Sequence, residues 1–122
     1  MKAASFGSLE LRRREGTEFI GQPIDYSDAN TAVIRTVTLD SLGLARVDLI
    51  KIDVEGMELD VIEGAEAVLE RHRPVLIVES IKTDQARLRG VLERLGYRLF
   101  VIGINLLAVH EADQTLTHIK AP

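Results

Sequence analysis

The chain has 122 residues, enough for one domain with a hydrophobic core of its own. It contains no cysteine, which excludes disulfides and thiolate metal centres, and its net charge of -4 leaves no basic excess for neutralising nucleic-acid phosphates. The opening MKAASFGSLELRRR lacks the apolar core of a secretory signal, and the longest apolar run, 99–109, is too short for a bilayer, so no nucleic acid, no membrane and a cytoplasmic location are expected.

From the start, Leu9 and Leu11 alternate with Glu10 and Arg12, the pattern of a half-exposed strand that ends in the basic run Arg12, Arg13, Arg14. Residues 15–31 are dense in turn formers (Gly16, Gly21, Pro23, Asp25, Asp28, Asn30) and read as loop, with a short extended piece at Phe19 and Ile20. Residues 33–39 read as a second strand with Val33, Val37 and Leu39 on one face. Asp40 is the expected cap of a short helical turn that Gly43 ends.

Residues 47–56, VDLIKIDVEG, organise the rest. Leu49, Ile50, Ile52 and Val54 leave little room for a solvent face, as in a parallel strand buried on both sides. Lys51, Asp53 and Glu55 nevertheless recur at every second position and share one face while the strand lasts. Unpaired buried charge is costly, so these groups belong at the carboxyl end of the strand, where open α/β sheets build their ligand crevice.

Residues 57–72 form the best helix by pattern, with an apolar stripe of Val61, Ile62, Ala65, Val68 and Leu69. Glu55, Glu58 and Asp60 complement its positive end, Arg71, His72 and Arg73 its negative end, and Pro74 stops it. Residues 74–80, PVLIVES, form a continuous apolar strand ending in Glu79, so a right-handed β-α-β unit puts Asp53 and Glu79 at the same sheet edge. Asp84 caps a second helix with Leu88, Val91, Leu92 and Leu95 inward and Gly96 as terminator. Residues 97–102 form a third buried strand, residues 103–105 a tight turn, and residues 106–109 return antiparallel. The tail, 110–122, is polar with one alternating piece at 116–119.

LIKIDVEGMELDVIEGA, then RPVLIVES one β-α-β unit later, then LGYRLFVIGINLLAVH, together with FGSLEL and TVTLDSL upstream, resemble the FkbM family of S-adenosylmethionine-dependent methyltransferases. The resemblance implies an α/β fold: part of the Rossmann-like class I methyltransferase sheet, with parallel strands, a C-terminal antiparallel hairpin and helices on the faces. It implies O-methylation of a hydroxyl on a sugar, polyketide or related small molecule, with S-adenosylmethionine as cofactor. No GxG is present, and nothing reads as the first strand, glycine loop and helix that receive the cofactor. The chain is therefore read as a single domain over 1–122, the C-terminal part of an FkbM-type domain. It divides into a hairpin and loop region at 1–46, a β-α-β-α-β-β core at 47–110 and a tail at 111–122. The strand with no first-strand neighbour then has an exposed edge through which a homo-oligomer could form.

Asp53 is the first candidate for the catalytic carboxylate that takes up the hydroxyl proton, and Glu55 the second. The bland alternatives are a Lys51 partner for Asp53 and a helix cap for Glu55. Glu79 and Asn105 are expected to line the acceptor side, and Asn105 also suits a turn that needs positive φ. Lys82 reads as solvent-facing, His110 as a surface residue, and His72 and His118 lack ligand spacing, so no metal ligand is assigned. Two other classes stay open. One is a magnesium-carboxylate enzyme, which needs a third carboxylate at the edge. The other is a non-catalytic fragment or interaction module.

Overall fold

The computed structural model describes residues 32–120, together with Ala29. The alternation at Leu9 and Leu11, the run Arg12–Arg14 and nearly all of the 15–31 loop lie outside the described residues.

Among the described residues, four strands and three helices follow one another as β1 (Leu49–Ile52), α1 (Glu58–Glu63), α2 (Glu66–His72), β2 (Val75–Glu79), α3 (Gln85–Arg94), β3 (Tyr97–Ile102) and β4 (Asn105–His110). The sheet order is β1-β2-β4-β3. β1 and β2 are parallel, while β4 runs antiparallel to both β2 and β3. The returning strand thus inserts between its two predecessors. The mixed α/β fold agrees with the sequence reading, including its C-terminal antiparallel hairpin.

Register separates the two faces of the sheet. Ile50, Leu76, Ala108 and Leu99 align across it, as do Ile52, Val78, Leu106 and Val101. Residues of these rows form one buried cluster with Ile62, Ala65 and Leu69 from the α1–α2 segment, and Leu88 and Leu92 from α3. The described helices therefore cover one face, not both as expected. Lys51, Ile77, Leu107 and Phe100 form a row on the other face and are at most half-buried. Two strands that read as buried are also edge strands. Leu49 in β1 is 57% exposed and Val101 in β3 is 63% exposed. A continuous apolar run suits an edge strand as well as a central one, so periodicity alone could not place either.

The single helix expected over 57–72 is two helices broken at Gly64 and Ala65. The break lets the 38–42 segment close in. A Cβ on Gly64 would lie 3.2 Å from the Thr38 side chain, and the Asp40 N–H donates to the Gly64 carbonyl. Asp40 does not cap its own turn, Asp40–Leu42. The Thr38 Oγ1 accepts the Ser41 N–H there. The Asp40 carboxylate instead caps α2, taking the N–H groups of Ala67 and Val68. Arg73, left-handed at φ 51°, ends α2 just before Pro74. Residues 33–38 carry no strand, because no described strand pairs with them; Val33 and Val37 are exposed.

The second helix was fully legible. The Asp84 carboxylate accepts the Arg87 N–H, Leu88 and Leu92 are buried, and Gly96 follows at φ 84°. In the tail, residues Gln114–His118 form a 3-10 turn that Asp113 caps through Thr115.

Candidate active site

Because β1 and β2 are parallel, they end at the same sheet edge. Asp53 is the residue after β1, and Glu79 is the last residue of β2. Glu55 follows in a turn where both Glu55 (φ 51°) and Gly56 (φ 93°) are left-handed. One carboxylate oxygen each from Asp53, Glu55 and Glu79 lies within 4.8 Å of the others. The structure thus brings three sequence candidates together, and Glu55 supplies the third carboxylate at the edge.

Three acids this close repel one another when ionised. Two have cationic partners. Lys51 Nζ donates to Asp53 Oδ2 at 3.1 Å, and Lys82 Nζ meets Glu55 Oε2 at 2.9 Å. Glu79 has no ion pair of its own among the described residues. Burial, the charges of Asp53 and Glu55 and a hydrogen bond with Asp53 push its carboxyl above the ordinary range, against a smaller opposing effect of Lys51. One oxygen from each acid could serve as a divalent-cation ligand, but the two ammonium groups already offset two of the charges.

Asn105 stands at this edge too, as the first residue of β4, opposite Glu79 on one side and Ile102 on the other. The expected positive φ belongs to Gly103 (φ 59°), so Asn105 serves the strand rather than the turn. Lys82 corrects a second expectation. Its side chain is only 16% exposed, as is that of Glu55, so the pair is mostly withdrawn from water. A lysine placed three residues beyond a strand-ending acid was the available signal. Glu58 does more than complement the helix dipole: it is buried and its Oε1 accepts the Gly56 N–H.

A groove of about 410 Å³ lies between residues 36–39 and α1. Val37, Leu39, Val54, Met57 and Val61 give it apolar walls, and Asp60 and Thr38 add polar groups. Val54, which lies between Asp53 and Glu55 in the chain, is a wall of the groove, while Asp53, Glu55 and Glu79 do not line it.

The opposite sheet edge holds a separate set of groups. His110 is no bare surface residue: its ring meets Tyr97 edge-on at 5.4 Å, and Nδ1 accepts the Ala112 N–H. The Tyr97 hydroxyl is buried without a hydrogen-bond partner among the described residues, and burial pushes it up to about 12, against the charge of Arg73. These groups lie at the far end of β3 and β4 from Glu79.

The family model described as the methyltransferase FkbM domain matches residues 3–99. The chain belongs to the FkbM methyltransferase family. The match takes in β1, β2, the three helices and every carboxylate of the edge cluster. No curated protein and no solved structure matches the chain. Among the described residues, no helix is long and apolar enough to cross a membrane.

Proposed function

We propose that this FkbM chain forms the acceptor side of an S-adenosylmethionine-dependent O-methyltransferase site, and that its acceptor is a hydroxyl of a sugar, polyketide or related small molecule. Family membership supports the reaction class. The observation that carries the site is the convergence of Asp53, Glu55 and Glu79 at the carboxyl edge of a parallel strand pair. Ionisable groups gathered at such an edge are candidates for function on electrostatic grounds.

S-adenosylmethionine supplies an activated methyl group when bound. The described residues do not fit the amino-acid end of that cofactor. The N–H of Gly56, the glycine that follows β1, is taken by Glu58, and the carboxylates around it oppose a ligand carboxylate. They do fit a hydroxyl acceptor. Asp53, held by Lys51 through Oδ2, is the carboxylate that takes the hydroxyl proton. Glu55, anchored by Lys82, and Glu79 beside Asn105 frame the acceptor oxygen. The groove between residues 36–39 and α1 offers apolar walls to the body of a small molecule.

The test is methyl transfer from isotopically labelled S-adenosylmethionine to a panel of sugar and polyketide hydroxyls, using the protein as it occurs in its own cells. Asp53→Asn should lower turnover about a hundredfold or more while the fold persists. Absence of transfer by the unaltered protein would favour a non-catalytic interaction module.

The third carboxylate favours a second reading, a magnesium ion held by Asp53, Glu55 and Glu79. The lysine partners of two of these acids weigh against it. Calorimetric titration with magnesium chloride separates the readings: heat that disappears in Glu55→Gln would support the ion.

A further inference from the structure

Among the described residues Glu58 is the most buried charged side chain, at 2% exposure. Its Oε1 accepts the Gly56 N–H at 3.1 Å, while its Oε2 has no hydrogen-bond partner among the described residues. A carboxylate withdrawn from water with one oxygen unpaired is costly. Dipole complementation does not account for that cost, because an exposed acid in the first turn serves a helix N-terminus without it.

What Glu58 holds is the turn that carries Glu55. Glu55 and Gly56 are both left-handed. Glycine adopts that conformation readily, but for glutamate it is unfavourable and persists only where the surroundings enforce it. A relaxed turn would swing Glu55 out of reach of Lys82 Nζ, now 2.9 Å from its Oε2, and away from Asp53 and Glu79.

We propose that Glu58 is a positioning residue: by holding the Gly56 amide it locks the Glu55–Gly56 turn and keeps the Glu55 carboxylate beside Asp53, Glu79 and Lys82. The catalytic consequence rests on the proposed methyl transfer; the lock itself is a property of the fold.

Two variants separate the lock from packing. Glu58→Met fills similar volume but offers no comparable acceptor, and Glu58→Gln retains a carbonyl for the Gly56 N–H. Two readouts need no substrate: hydrogen exchange at the Gly56 amide, and carbodiimide cross-linking of Glu55 to Lys82 mapped by mass spectrometry. Glu58→Met should exchange the Gly56 amide about tenfold faster or more, as a locally opened turn does. It should lose most of the cross-link without a fall in melting temperature, since an incompletely paired buried charge has been removed. Glu58→Gln should keep both signals. In the methyl-transfer assay, Glu58→Met should lower kcat with little change in the KM for S-adenosylmethionine, and Glu58→Gln should restore it. Wild-type exchange and cross-linking in Glu58→Met would overturn the proposal. So would equal loss in both variants, or global unfolding of Glu58→Met. The expected exchange and cross-linking together with no transfer by the unaltered protein would support the lock and count against the proposed reaction.

Discussion

The Asp40 carboxylate accepts the Val68 N–H at 2.9 Å across 28 residues of chain, with its other oxygen on the Ala67 N–H at 3.0 Å. One side chain thereby caps α2 and fastens the segment that walls the groove onto the helix layer.

Replacing Asp40 with alanine leaves those two N–H groups without their acceptor. Stability should fall by about 0.5–2 kcal/mol, the usual cost of losing a helix cap. Asp40→Asn should recover part of it. Urea unfolding of both variants checks the order.

Leu69 is buried at 1% exposure, in the cluster that joins α2 to the sheet. Leu69→Ala should destabilise by about 2–5 kcal/mol, the range for a large core side chain cut to a methyl. A loss below about 0.5 kcal/mol in the same unfolding assay would contradict the packing, because that is the scale of surface changes.

Gly96 combines φ 84° with His110 Nε2 only 2.9 Å from where a Cβ would stand. Gly96→Ala should therefore cost more than about 1 kcal/mol, through backbone strain and overlap together. Adding His110→Ala should relieve the overlap but not the strain, so recovery in the double variant should be partial. Thermal melts of the single and double variants measure both parts.

Glu79 predicts a pH dependence of definite sign. Its folded carboxyl holds a proton to higher pH than in the unfolded chain, chiefly through burial and then through Asp53 and Glu55. Between the ordinary carboxyl value and the raised one, the native state binds more protons, so this group's contribution to stability falls as pH rises through that window. Glu79→Gln should remove the dependence and gain on the unaltered protein as pH rises. Unfolding free energies of both proteins across the carboxyl range would show it.

The carboxylate edge was legible because parallel pairing is dictated by strand, helix, strand connectivity. Asp53 and Glu79 end two such strands, and that alone brought them together. The second helix was legible for a local reason: Asp84, Leu88, Leu92 and Gly96 each act within their own element. What failed depended on contacts distant in sequence. The Asp40 cap for α2, the break at Gly64 that admits Thr38, and the Glu55–Lys82 pair each join residues many positions apart. No periodicity reports such partners. Residues 33–38 failed for a related reason, since β-branched residues favour a strand but a strand exists only where a neighbour pairs with it.

The most direct test of the proposed role for the edge carboxylates is the ratio of methyl-transfer rates between the unaltered protein and Asp53→Asn, with the fold of both verified by circular dichroism. A fall of about a hundredfold or more is expected, the scale of losing a positioned general base. Near-equal rates would contradict it, and would leave Asp53 as no more than the partner of Lys51.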